Sequence, residues 1–437
     1  MISIFITDLT PRAKYIFNYI FTHLLGIDVH FITTFEAFQN CSGHKLCYGN
    51  QKINDELFIQ SDRLLFEQGI SNNQLELGKF KDLPTLFPNT NKSACLPFDL
   101  FAASFYLITR YEEYKDQPLD QHSRFQATSS IAFKNGFLRL PIINLWVAEF
   151  KKILTNQFPD LSFQSPSFKF IPSYDIDHAW AFRNKGALRN LMQLAKSIVT
   201  LNFKKTALIF SVLKNKREDP FYTFSHLKAT FEANAAAPIF FFLLGQYGKY
   251  DKNVSIKSRN LQILIKQLSK KYLVGIHPSY RAHLNAQRLK SEQQILHSIT
   301  QQTITNSRQH FLRLRFPETY RLLVETGITN DYTMGYADQP GFRAGIAHPF
   351  PWYDLKRESE TTLTVHPFQF MDVTLRVYLQ QSPEQAKATI AALISATAAV
   401  NGQLISLWHN SSLSDYDGWE GWRSVHDYIF EAVGKQA

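Results

Sequence analysis

PSYDIDHAW, residues Pro172–Trp180, closes an apolar run, SFKFIPSY (Ser167–Tyr174), that has the character of a buried strand. Asp175 and Asp177 follow at its C-terminal end, two residues apart. On a strand, residues i and i+2 point to the same side, so both carboxylates address one spot. Two carboxylates on one spot repel unless a cation or a shared proton relieves them. The pattern predicts one metal ligand and one general base at a strand end, with the remaining ligands at equivalent ends.

Working outward, six further apolar runs follow: PIFFFLLG (238–245), YLVGIHP (272–278), SRQHFL (307–312), ITNDYTMG (328–335), TLTVHPF (362–368) and QLISLWHN (403–410). Segments of helical periodicity separate them, which predicts an α/β fold built on a parallel sheet or barrel. Polar residues gather at the far ends of these runs: Asp175 and Asp177, His277, His310, Asp331, His366 and His409. In a parallel barrel those ends meet on one face, where active sites form.

The chain has 437 residues, 45% of them hydrophobic and 19% charged, enough for a large core and too few charges for disorder. A division at residue 165 is expected, with an α/β N-terminal domain over 1–165 and the catalytic unit over 166–437. In the first part, ISIFITD and IDVHFIT read as strands flanking the helix RAKYIFNYIFTHLL. LPFDLFAASFYLITRYEEY reads as a helix ending in Glu112 and Glu113, which with His122 serve to hold that helix end and its loop. No apolar run is long enough to span a membrane, and Asp8 interrupts any secretory leader, so a cytoplasmic location is expected. Three cysteines imply no disulfide framework, and Cys41, His44 and Cys47 have the spacing of no common zinc site. The net charge is +10, but the cations are scattered. This argues against nucleic acid and leaves an anionic membrane surface or a diphosphate-linked sugar as expected partners.

These motifs resemble the NodB-homology polysaccharide deacetylases, carbohydrate esterase family 4. The resemblance implies a distorted (β/α)7 barrel, here preceded by the smaller α/β domain. SYDIDHAW resembles the first family motif, making Asp175 the base and Asp177 a metal ligand. VGIHPSY resembles the second and supplies His277. SRQHFL resembles the third, with Arg308 orienting the base. FMDVTL resembles part of the fourth and gives Asp372, and ISLWHN resembles the fifth and gives His409 as the acid. LPFDLFAASFYLITRYEEY, GFLRLP, FFFLLGQYGKYDKN and MGYADQPGFRAGIAHPFPWYDL are similar to a divergent bacterial branch of that family, which extends the resemblance over nearly the whole chain.

One departure matters. The family's second motif is His-x-x-x-His, whose rings lie about 40° apart on a helix, but Arg281 stands at the fourth position after His277. His283, six residues on, would face about 240° round. His310, at a strand end beside Arg308, is the preferred third ligand, ahead of His283, His366 and His348. The implied cofactor is a divalent metal, with zinc expected.

The expected function is metal-dependent removal of an acetyl group, by preference N-acetyl, from a saccharide or glycan intermediate. Arg343 in the glycine-flanked GFRAG loop, Tyr280 and Trp408 are the candidate substrate contacts, because aromatic faces suit sugar rings. Two alternatives stand beside it: a hydrolase of small cyclic amides on the same barrel, and a metal-free glycan-binding or scaffold protein. His178 points away from the Asp pair and is read as structural. The sequence is silent on the sugar, on amide against ester, and on oligomeric state.

Overall fold

The computed structural model describes residues 1–72, 75–164 and 166–436. Ser165, where the expected N-terminal domain ends, lies outside them. The first part carries a four-stranded parallel sheet of β1 (Ile2–Phe5), β2 (Val29–Ile32), β3 (His44–Gly49) and β4 (Leu57–Gln60), in the order β2-β1-β3-β4. A hairpin of β5 (Leu77–Phe80) and β6 (Leu83–Leu86) follows. The helix Leu100–Ile108 is capped by Asp99, whose Oδ1 accepts the Phe101 and Ala102 amides. All nine of its residues are buried, as an apolar surface on every side requires.

The second part forms one nine-stranded sheet. Its strands are β7 (Lys169–Ile176), β8 (Ile239–Phe242), β9 (Leu273–Ile276), β10 (Asn306–Ser307), β11 (Asn330–Asp331), β12 (Phe350–Asp354), β13 (Ser359–Val365), β14 (Phe370–Met371) and β15 (Gln403–His409). The order is β12-β13-β11-β10-β9-β8-β7-β15-β14, parallel throughout except for the antiparallel β12–β13 pair. All seven apolar runs contain a strand. β12 and β14 are additional, because β12 pairs as a hairpin and β14 is two residues long.

The strand pairings leave the sheet open at β12 and β14, rather than closing it into the expected (β/α)7 barrel. The sheet nevertheless curls. The chain from β13 to β14 ties its two sides together: the His366 amide donates to Asp331 O and the Phe368 amide to Met334 O, while β14 pairs with β15. Inside the curl lies a small apolar cluster that includes Ile171, Ile239, Phe241, Tyr332, Met371, Ile405 and Leu407. Its members on β7, β8 and β15 alternate with residues that pack outward into the main core, such as Tyr174, Phe240, Leu404 and Trp408. Gly275 allows β9 to pass close to β8, since a Cβ there would lie 2.7 Å from the Phe241 ring and 2.8 Å from Asn306 O.

The two parts share one hydrophobic core. Arg12 pairs with Glu358, the Tyr15 and Tyr19 hydroxyls donate to Pro351 O and Pro349 O, and Asn144 holds the Ala347 amide. Glu113 and Arg110 reach across to Arg343. Among the described residues no helix is long and apolar enough to cross a membrane.

Candidate metal and acid–base site

The inward-facing set on β7 runs Ile171, Ser173, Asp175, and on β15 Ile405, Leu407, His409. The same alternation that builds the inner cluster therefore delivers Asp175 and His409 to its upper rim. Asp177, His277, Arg308, His310 and Asp372 lie in the first residues after the C-terminal ends of β7, β9, β10 and β14. The structure brings all seven together.

Asp177 is the centre. Its Oδ1 lies 3.3 Å from His277 Nε2, and its Oδ2 lies 3.6 Å from His310 Nε2 and 3.8 Å from His409 Nε2. Each histidine has its other ring nitrogen engaged elsewhere. His277 Nδ1 donates to Arg308 O at 2.6 Å, and His310 Nδ1 meets Asp251 Oδ1 at 2.9 Å. Both Nε2 atoms are thereby aimed at Asp177, in the arrangement that metal-ligating histidines adopt with their supporting partners. Oδ1 of Asp177 is buried and accepts no hydrogen bond, an expensive state for a carboxylate oxygen without a cation. One oxygen and two nitrogens within 4.8 Å of one another form a donor set suited to a divalent metal with nitrogen affinity, zinc included.

The electrostatics point the same way. Burial pushes the Asp177 carboxyl up, but His310 and His277 hold it well below its usual range. Burial would lower His310, yet Asp177 and Asp251 push it up to about 9, so without a cation a proton supplies the positive charge.

Asp175 is held differently. Arg308, fully buried, donates from Nη1 to Asp175 Oδ1 at 3.0 Å, from Nη2 to Ser173 Oγ at 2.8 Å and from Nε to Tyr332 O at 2.9 Å. Its guanidinium carbon sits 4.5 Å from the centre of the Phe241 ring, which fixes the plane of the fork. The second Asp175 oxygen, 3.5 Å from His277 Nε2, remains free to face a reacting atom. Across the site, His409 Nδ1 lies 2.9 Å from Asp372 Oδ1, and the His409 amide donates to Oδ2 at 2.8 Å. Burial opposes protonation of His409, but Asp372, Asp177 and Asp175 push it up to about 10. The pair is a carboxyl group oriented by Arg308 and, across from it, an acid held as an imidazolium.

Asp175, Asp177, His277, His310 and His409 line a cavity of about 190 Å3 together with Gln309, Phe311, Met371 and Tyr378, with Arg308 and Asp372 behind them. Phe311 and Leu312 take left-handed backbone (φ 59 and 54), a strained pair of the kind that clusters at working sites. The first part of the chain supplies one wall: Arg124 is bound to Asp120 Oδ2 at 2.6 Å, Phe311 O at 3.0 Å and the Tyr378 hydroxyl at 3.0 Å. A second cavity of about 190 Å3 adjoins, sharing Arg124, Leu312 and Tyr378.

The expected substrate contacts fall elsewhere. Trp408 is fully buried on the outer side of β15, beside Trp422 and His426, as it must be when its neighbour His409 faces inward. Tyr280 packs on Tyr250 and Arg313, with its hydroxyl 3.2 Å from His122 Nδ1. Arg343 borders the second cavity, but its guanidinium is spent on Glu113 and Gly335 O. His283 and His348 line neither cavity, and His366 is stacked on Tyr332. Asp251 and Arg124 are the residues that sequence reading missed as members of this site. Asp251 follows the β8 run, the one strand end among the seven to which no polar residue had been assigned. A second cluster, His226, His426 and Asp427, lies on the outer side of β7, where His426 Nε2 meets the Tyr174 hydroxyl at 2.7 Å.

The model of a family of unknown function, DUF7033, matches residues 2–159. No curated protein matches. The chain is similar to carbohydrate deacetylases of known structure. A Mycobacterium smegmatis protein assigned as a polysaccharide deacetylase aligns at 12% identity and a TM-score of 0.40, over 63% of this chain and 86% of that one. The polysaccharide deacetylase from Bacillus cereus aligns at 12% identity and a TM-score of 0.30, over 62% and 88%. A 4-alpha-glucanotransferase from Thermococcus litoralis aligns at 15% identity and a TM-score of 0.36, over 62% and 38%. What the site can do follows from its side chains.

Proposed function

We propose that the chain is a metal-dependent deacetylase that hydrolyses an acetyl group, by preference N-acetyl, from a saccharide. The observation that carries this reading is the pairing of a buried Asp-His-His donor set with a separately held base and acid. Asp177, His277 and His310 would hold the cation. A divalent cation bound there supplies Lewis-acid chemistry, acidifying water and polarising a carbonyl. Asp175, oriented by Arg308, takes the proton of the attacking water. His409, kept protonated by Asp372, delivers a proton to the departing sugar nitrogen, without which an amine is a poor leaving group. A metal-free binding protein would need none of these separately tuned groups.

The size of the site limits the substrate. A cavity of about 190 Å3 with one neighbour of equal size suits a terminal sugar and the residue beside it better than the middle of a long polymer. The same small volume favours a second reading, hydrolysis of a small cyclic amide by the same base and acid. The test is acetate release by protein loaded with zinc or cobalt, using N-acetylated and O-acetylated mono- and oligosaccharides with cyclic amides in parallel. Acetate release that disappears with Asp175→Asn and drops with His409→Gln supports the proposal. Ring opening of cyclic amides with no acetate release would move the assignment to the second reading.

A further inference from the structure

We propose that the helical hairpin between β7 and β8 seats the protein on an anionic lipid bilayer, with the catalytic face toward the membrane. The hairpin comprises the helices Ala187–Val199 and Phe203–Leu213. It is inserted directly after Asp177, on the face where the strand ends meet.

The first helix is amphipathic in the wrong sense for a core. Leu188, Leu191, Met192, Ile198 and Val199 recur at helical spacing, and that stripe faces solvent: Leu188 is 69% exposed, Leu191 62% and Val199 81%. The only residue the helix buries is Ser197. The helix Arg259–Ser269, of comparable pattern, turns Leu261, Leu264 and Ile265 inward as expected. The turn continues the stripe with Leu201 at 72% and Phe203 at 70% exposure, and Phe210 and Leu213 extend it along the second helix. Nearly half of the exposed large hydrophobic side chains of the described chain lie in this hairpin. Patches of this kind mark a docking surface.

Charge identifies the partner. Between Asp177 and Glu218 the sequence carries nine Lys or Arg and no acid. Lys204 is exposed at the turn, and Lys185, Arg189, Lys196 and Lys205 line a groove of about 560 Å3 under the hairpin. That groove also touches His178 and Ser411, close neighbours in sequence of Asp177 and His409. One acid, Asp417, also lines the groove, but the hairpin itself carries cations and no acid, and an apolar stripe flanked by cations is the pattern of a helix lying in the plane of an anionic interface. A protein partner would need a large acidic and apolar counter-surface, which a bilayer rich in phosphatidylglycerol presents everywhere. The inference stands apart from the deacetylase reading.

The test is co-sedimentation of the full chain with phosphatidylcholine vesicles, with and without phosphatidylglycerol, at low and high salt. Two variants accompany it: Leu191→Asp with Val199→Asp, and Lys196→Glu with Lys204→Glu. All these side chains lie at the surface or rim, so folding should survive, and an unchanged circular dichroism spectrum and melting temperature check it. The proposal expects binding to the anionic vesicles only, weakened by salt, and about tenfold or more weaker in each variant. Wild-type protein that holds metal but ignores anionic vesicles overturns the inference and leaves the site reading intact. Binding equal in wild type and both variants overturns it too. So does a concentration-dependent dimer that both variants split, which would assign the face to a second copy of the chain.

Discussion

His310 Nδ1 lies 2.9 Å from Asp251 Oδ1, and this contact decides which nitrogen of the ring faces Asp177. Asp251 is itself fixed by the Tyr280 amide, 2.9 Å from the same oxygen. Four strand ends, after β7, β8, β9 and β10, thus cooperate to build one ligand. Asp251→Asn is expected to weaken zinc about 10- to 100-fold, read by competition with a chromophoric chelator. His283→Ala is expected to leave the affinity unchanged, because that ring lies outside the cavity.

Asp372 sets the proton affinity of His409. Its removal takes away the strongest of the attractions that raise the imidazolium to about 10. If His409 is the acid, activity is lost on the alkaline side as it deprotonates. Asp372→Asn is therefore expected to move the alkaline limb of the pH–rate profile to lower pH, and His409→Gln to lower kcat by about 10²–10⁴. A limb that stays in place in Asp372→Asn would disconnect the pair from catalysis.

The metal-free protein should lose stability as pH rises. His409 and His310 are raised in the fold to about 10 and about 9, from about 6.5 in the unfolded chain. Each binds its proton more tightly when folded. The stabilisation is therefore complete below about pH 6.5 and is lost as pH climbs through about 9 to 10. Melting of chelator-treated protein between pH 6 and pH 10, each an approximate end of that window, should show a falling Tm. The fall should be smaller in His409→Gln. Metal should flatten the curve in part, since its binding displaces the proton of His310.

Arg343 is tied to Glu113 through Nε and Nη2, and Arg110 holds both the Arg343 carbonyl and Glu113. Both members of the Arg343–Glu113 pair are almost fully buried. Arg343→Ala leaves the buried Glu113 carboxylate with Arg110 as its remaining guanidinium partner and is expected to cost about 3 kcal/mol in chemical denaturation. If KM for a soluble substrate rises sharply while stability holds, Arg343 is a substrate contact after all.

How much of this was legible in the sequence depends on which force placed each residue. The strand ends were readable because hydrophobic runs and the two-residue period are local, so Asp175, Asp177, His277, His310 and His409 could be set on one face without a structure. The same period argues against Trp408, since neighbours on a strand cannot both line one site. Asp251 and Arg124 were not readable, because a loop acid and an arginine from the other half of the chain are placed by tertiary packing alone. The hairpin after β7 shows a third limit. Its periodicity announces an amphipathic helix, but only the structure shows that the apolar stripe faces outward.

Metal content of the purified chain, measured by mass spectrometry after supply of zinc and removal of loosely bound ion, tests the central claim most directly. It should be run on wild type and on Asp177→Asn, His310→Ala and His226→Ala, the last to separate the outer cluster. Wild type is expected to hold metal that is lost with Asp177→Asn and His310→Ala and kept at the inner site with His226→Ala. No metal in the wild type, or metal retained without Asp177 and His310, would contradict it.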